Sequence, residues 1–256
     1  AGAGVFFKPE TGSTMMDARN LAAQGFPSGT VAAAGHQVAG RGRFPDRTWE
    51  SNPGENLMFT IFFRLEELPE RVDPVPLKAG LAVARALEGF FGLEPKIKWP
   101  NDVLLDGRKV AGGLAEKRGE YLFLGIGVNC LQKSFSKDLK RKAVALREVV
   151  KRKFTPEDLL PPLLAELRIF YDIDGDWKDQ VESRLFLKGE TVSFAPGLPG
   201  SETVSGRLAG VLDDGSLVIH PDGAAEPLVF AGGEILYEPP RRGGLSALFS
   251  RGADKL

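Results

Sequence analysis

Cysteine and histidine are nearly absent, with one Cys and two His in 256 residues. Cys130 alone forms no intramolecular disulfide, and so few soft ligands exclude a Cys/His zinc site; a reducing, cytoplasmic setting is expected. Long apolar runs are missing too. The longest, residues 57–63, falls far short of the roughly twenty residues of a membrane-spanning helix. The first five residues lack the basic region and apolar stretch of a secretory signal. Net charge is also lacking: 33 Lys and Arg against 34 Asp and Glu leave −1. Such a chain has no long-range field for polyanions, which argues against a dedicated nucleic-acid binder. There is no internal repeat. What is present is 43% hydrophobic residues, enough for one large domain with a small companion.

Periodicity predicts buried strands at residues 32–34 and 57–63 and a helix over 77–91. Extended segments follow at 96–99, where Pro100 biases its predecessor away from helix, then at 103–105, 110–115 and 121–128. Asp106-Gly107 is a hairpin turn signal. Residues 133–153 hold nine Lys or Arg against two Asp or Glu, which reads either as a solvated face or as a docking patch for an acidic partner. Thr155-Pro156-Glu157-Asp158 announces a helix towards Tyr171, with Pro161 and Pro162 kinking or delaying it. After Trp177 come short β-like runs at 191–194, 207–212, 216–219 and 228–231, separated by Pro and Gly turns. Their spacing suits a small antiparallel barrel, and a Pro, Gly and Arg-rich tail begins at 239, with residues 245–249 as a docking segment within it.

Four short segments carry chemistry. Gly40-Arg41-Gly42-Arg43, followed by Arg47 and Trp49, puts three guanidinium groups and two glycines in one loop. Glycines let backbone N–H groups approach an anion, and arginines make bidentate contacts with phosphate or carboxylate. Such a loop is expected to repel itself when empty and to order on binding; taken alone it also reads as an exposed basic turn. Lys98-Trp99-Pro100-Asn101-Asp102 adds amide and carboxylate groups that suit a nucleotide or a hydrated magnesium ion, and Lys109 adds an ammonium able to neutralise developing charge. In isolation these are a turn and a solvated lysine. Gly125-Ile126-Gly127-Val128-Asn129 ends a strand, where glycine marks close approach of a ligand or tight sheet packing. Gly12-Ser13-Thr14 reads either as a helix N-cap or as hydroxyls aimed at a polar ligand head.

In this order and spacing the segments, with Gln37 and Ala111-Gly112, resemble the biotin protein ligases over about residues 5–238. The resemblance implies an α/β (α+β) fold: a class II aminoacyl-tRNA-synthetase-like mixed sheet with helices over residues 1–186, an SH3-like β-barrel over 187–238 and a flexible tail over 239–256. It implies that biotin and MgATP are condensed to biotinyl-5′-AMP, and that the biotinyl group passes to a lysine of a biotin carboxyl carrier domain. Ser13, Thr14 and Gln37 would hold the ureido head, with Gly112 and Gly125 as pocket walls and Gly40 and Gly42 in the binding loop. Arg41, Arg43 and Lys109 would hold the carboxylate and phosphates. Trp49 would pack near adenine, Asn101 and Asp102 would orient nucleotide and Mg2+, and Asn129 would face the ribose or adenine. Arg43, Lys109 and Asp102 are the expected catalytic groups.

The sequence departs from the family at Met15, where asparagine is common, at Leu131, and in a basic loop lengthened through Pro45 and Asp46. Twelve residues precede Ser13, so no N-terminal DNA-binding domain and no operator binding are expected; a monomer or a homodimer fits equally. Lipoate or octanoyl transfer on the same fold is the competing activity, and a catalytically silent nucleic-acid module the competing class.

Overall fold

The computed structural model describes residues 3–44, 47–69, 73–171, 175–197 and 202–239. The expected lengthening of the basic loop through Pro45 and Asp46, and the tail from 240 onward, lie outside them. Seven strands, β1 (Val5–Lys8), β2 (Val31–Ala34), β3 (Asn56–Arg64), β4 (Lys96–Lys98), β5 (Asp102–Leu105), β6 (Arg108–Arg118) and β7 (Tyr121–Asn129), form one mixed sheet in the order β1-β2-β3-β7-β6-β5-β4. The β1–β2 pair is parallel and every other neighbouring pair antiparallel.

The interior strand β3 is buried on both faces, which is why its sequence is nearly all apolar. Side chains alternate across a strand. Leu57, Phe59, Ile61 and Phe63 join the main core with α2 (Val75–Phe91), whereas Phe62 joins a smaller cluster with Met15, Ala18 and Ala22 of α1 (Thr14–Ala23). Even-numbered positions of β3 therefore face α1, and Thr60 is one of them.

The Asp106-Gly107 turn behaves as its sequence demands. Both residues have positive φ, 49° and 69°, the conformation of a tight two-residue hairpin turn. Beyond it the ladder slips between Val103↔Ala111 and Leu104↔Lys109, a bulge at Val110. One extra residue inverts the alternation, so Lys109 and Gly112, three apart, share a face.

The segment from Pro156 opens as a 3-10 turn, with the Thr155 backbone N–H donating to Asp158 Oδ2 (2.7 Å), before α3 (Leu160–Glu166). The helix expected there is thus delayed by Pro161 and Pro162, as its sequence suggested, because proline is tolerated in a helix's first turn. After α4 (Trp177–Arg184), five strands, β8 (Thr191–Ala195), β9 (Val204–Val211), β10 (Leu217–Pro221), β11 (Leu228–Phe230) and β12 (Glu234–Leu236), form an antiparallel sheet in the order β11-β10-β9-β8-β12. It is anchored to the first sheet by Trp99, whose indole N–H donates to Gly215 O (2.8 Å) and whose ring packs on Phe194. No helix among the described residues is long and apolar enough to cross a membrane.

Candidate active site

Strand pairing aligns Met58, Gly127, Gly112 and Asp102 in one row across the sheet, and Thr60, Gly125 and Leu114 in the next. Three glycines strip side chains from this face. The floor so exposed lies beneath the N-terminus of α1 and borders a cavity of ≈420 Å³.

At one end of the cavity is a polar cluster. Gln37 Oε1 accepts from both the backbone N–H (2.8 Å) and the hydroxyl (3.2 Å) of Thr14, and the Thr14 hydroxyl lies 2.9 Å from that of Thr60. Ser13 caps α1, accepting from Met15 N (3.3 Å), as one of its two sequence readings has it, and it also lines the cavity. Met15 provides no polar contact: its side chain lies in the α1 cluster, its methyl 3.3 Å from where a Gly125 Cβ would stand. Arg19 and Glu116 form an ion pair lining the same cavity.

The other end is cationic. Arg41, Gly42, Arg43, Asn101, Lys109 and Trp49 line it. Lys109 Nζ lies 2.6 Å from Asp102 Oδ1, over Gly112, where a Cβ would stand 2.9 Å from Lys109 Cε. Trp49 lies across Gly127 in the same way, 2.6 Å from an added Cβ, with its buried indole N–H lacking a partner and Lys109 Nζ 5.7 Å from its ring centre. Asn101 donates to Gly113 O (2.7 Å).

The arginine loop does not stand free as expected. Arg43 donates to Gly233 O (2.7 Å), and Arg47 donates twice to the Glu234 carboxylate (3.0 and 2.7 Å). Both guanidinium groups also lie over the Phe44 ring. A carboxylate and an aromatic face thus meet the charge that was expected to repel itself. Burial lowers the pKa of Arg43 and of Lys98, although Asp102 and Glu234 oppose the shift in both. Burial alone would raise Glu234, but the Arg47 hydrogen bonds and the charges of Lys98 and Arg43 outweigh it and hold the carboxyl below its ordinary range.

Three expected site residues are placed differently. Asn129 is 5% exposed and donates to the Lys109 and Val144 carbonyls (3.2 and 3.3 Å); it ties β6 to the following loop and lines no part of either cavity described here. Asp102 is not among the residues lining the cavity; it pairs with Lys109, and its Oδ1 lies 3.4 Å from where a Gly112 Cβ would stand. Gly40 lines an adjoining open hollow of ≈680 Å³, which shares Gln37, Ala39 and Trp49 with the first. Leu131 packs against the main core. Sequence reasoning missed Thr60, whose only signal was a lone hydroxyl in an apolar strand, and Glu234, which had none.

A family model, the biotin/lipoate A/B protein ligase family, matches residues 9–132. The Bifunctional ligase/repressor BirA of Bacillus spizizenii is 35% identical over 143 residues, 53% of this chain and 44% of that protein. Its Bacillus subtilis namesake is covered over 49% of its length, so the matched part spans less than half of either. The Biotin--[acetyl-CoA-carboxylase] ligase of Paracoccus denitrificans is 30% identical over 89% of this chain and 98% of its own. Among solved structures, the biotin protein ligase from Aquifex aeolicus in complex with biotin and ATP superposes with a TM-score of 0.76 at 28% identity, covering 91% of this chain and 97% of that one. A mixed sheet and a separate antiparallel one recur there, and with a relative matched almost end to end the chain belongs to the biotin/lipoate A/B protein ligase family.

Proposed function

We propose that this protein is a biotin protein ligase, activating biotin with ATP and passing it to a lysine of a biotin carboxyl carrier domain. The observation that carries the reading is the polarity of one cavity, with a neutral hydrogen-bonding cluster at one end and three cations at the other. Biotin has the matching shape, a cyclic urea joined by an apolar chain to a carboxylate. Lipoate ends instead in a dithiolane with no N–H or C=O group, which would leave the Thr14–Gln37 cluster without a polar partner at that end; biotin is favoured for that reason.

In this reading Arg41, Arg43 and Lys109 gather the biotin carboxylate and the α-phosphate, two anions that repel unless screened. The carboxylate oxygen bonds to the α-phosphorus and pyrophosphate leaves, giving biotinyl-5′-AMP; the carrier lysine then attacks the carbonyl carbon and AMP leaves. No side chain is acylated, in keeping with the scarcity of Cys and His. Trp49 is placed against the adenine, in the adjoining hollow. Magnesium, when bound, neutralises phosphate charge. Among the described residues no group of three or more His, Cys, Asp or Glu side chains could hold an ion, and Asp102 is engaged by Lys109. The residues therefore fit an ion carried on the phosphates rather than one caged by the protein.

We also take residues 1–186 as the catalytic unit and 187–238 as its companion. The decisive experiment is transfer of labelled biotin to a carrier domain with pyrophosphate release, beside thermal shifts with biotin or lipoate plus MgATP. Incorporation and a biotin-dependent shift are expected; a shift with lipoate alone would overturn the choice of substrate.

A further inference from the structure

We infer that Thr60 is a positioning residue for the ureido group, acting through Thr14 and resting on the biotin reading above. The argument turns on proton direction. A backbone N–H can only donate, so the 2.8 Å contact from Thr14 N fixes the facing Gln37 atom as the amide oxygen. The same oxygen lies 3.2 Å from the Thr14 hydroxyl, which must therefore donate as well. With its one proton spent on Gln37, Thr14 can meet Thr60, 2.9 Å away, only as acceptor. Thr60 is thus the donor at the head of a one-way chain, Thr60 to Thr14 to Gln37.

Direction decides what the cavity offers. Held this way, Thr14 keeps a lone pair for an N–H, and Gln37 Nε2, one of whose protons points at Met58 Sδ (3.4 Å), keeps the other for a carbonyl. An acceptor beside a donor is the complement of a cyclic urea. Thr60 borders the cavity but is 0% exposed, with its hydroxyl turned to Thr14, so its influence on a ligand runs through Thr14. Its place follows from register: it faces α1, opposite Gly125, whose missing side chain leaves the hydroxyl room. Without the Thr60 proton, the Thr14 lone pair is no longer held towards the strand, and the hydroxyl is free to rotate away from Gln37.

The test uses the full chain with Thr60→Val, Thr60→Ser and Thr60→Ala, measuring biotin-dependent ATP–pyrophosphate exchange. Thr60→Val should raise KM for biotin about tenfold while KM for ATP and kcat stay within twofold, and Thr60→Ser should restore most of the loss. If the valine variant does not fold, the serine-to-alanine ratio isolates the hydroxyl, since both lack the methyl group. Equal KM for biotin in the parent and the valine variant, or in serine and alanine, overturns the role of Thr60. Failure of the parent itself to bind biotin by calorimetry would instead overturn the functional reading.

Discussion

Arg47 and Glu234, 187 positions apart, make a two-pronged ion pair with N–O distances of 3.0 and 2.7 Å. It joins the arginine loop to the first residue of β12, so the C-terminal sheet holds a loop of the catalytic face. Lys98 Nζ stands 3.9 Å from the same carboxylate, and Lys142 pairs with Glu238 (2.6 Å). The segment from Gly233 to Glu238 thus clasps the arginine loop, Lys98 of β4 and Lys142 of the segment after β7.

Glu234→Gln should loosen that clasp. Trypsin cleavage at Arg41, Arg43 and Arg47 is expected to accelerate several-fold in the ligand-free variant and to slow again with biotin and ATP. Cleavage at the parental rate would show that the pair does not hold the loop.

The pH dependence follows from the sign of the Glu234 shift. Its folded pKa is lowered by Arg47, Lys98 and Arg43 in spite of burial. The pair's contribution is therefore complete above the ordinary carboxylate range and is lost as pH falls through the lower folded value. Amide exchange over residues 41–44, corrected for intrinsic rate, should stay slow from neutral pH down through that ordinary range. Protection lost above it would contradict the assignment.

Lys109→Ala should separate adenylate formation from its retention. On the proposed reading the substitution removes a charged contact to the intermediate and leaves the Asp102 carboxylate, 2.6 Å from the lost ammonium, facing an anion. Hydrogen bonds to charged groups are worth roughly 1.5 to 3 kcal/mol, so biotinyl-5′-AMP should leave about ten to a hundred times faster. Stopped-flow release with a nucleotide trap measures this, and an unchanged rate would remove Lys109 from the site.

Gly127→Ala tests the position of Trp49. The new methyl would stand 2.6 Å from the indole, so the ring must move, with a shift in Trp emission and lost adenylation. Gly89→Ala in α2 meets nothing within 4 Å and serves as the control, stabilising by about 0.4–1 kcal/mol. Unaltered emission in Gly127→Ala would mean that the indole lies elsewhere.

The contrast between Lys109 and Glu234 shows what a sequence of this kind discloses. Lys109 was legible because its neighbours carry it: a turn whose residues demand positive φ, then a strand with glycines. Thr14 was read locally only as part of a cap or a ligand-facing hydroxyl pair, and Gln37 was legible only by resemblance, since nothing local says that a loop and a helix start will meet. Thr60 was hidden by its strand, whose apolar character advertises burial rather than chemistry, and only the pairing register reveals which face it takes. Glu234 was hidden more deeply, because its partner is 187 positions distant and a lone carboxylate in a short strand has no pattern. β1 was missed because its residues are exposed on both faces, giving no alternation to read, and α4 because its composition is polar. Asn129 was located by its motif, but nothing in the sequence told that its amide nitrogen donates to two carbonyls.

Cys130 should be chemically silent until the protein unfolds. It is the only cysteine, fully buried, and burial pushes its thiol up to about 12 even though a hydrogen bond with the Leu57 backbone opposes the shift. At pH 8 the thiolate fraction is then about one part in ten thousand, and the thiolate is the reactive form. Native protein should remain unlabelled by iodoacetamide with adenylation intact, whereas urea should bring one label per chain along the global unfolding curve. Because Cys130 sits between β7 and the loop that Asn129 ties down, labelling ahead of global unfolding would mean that this edge of the site opens on its own. Stoichiometric labelling of the native protein would show that the thiol is not enclosed as described.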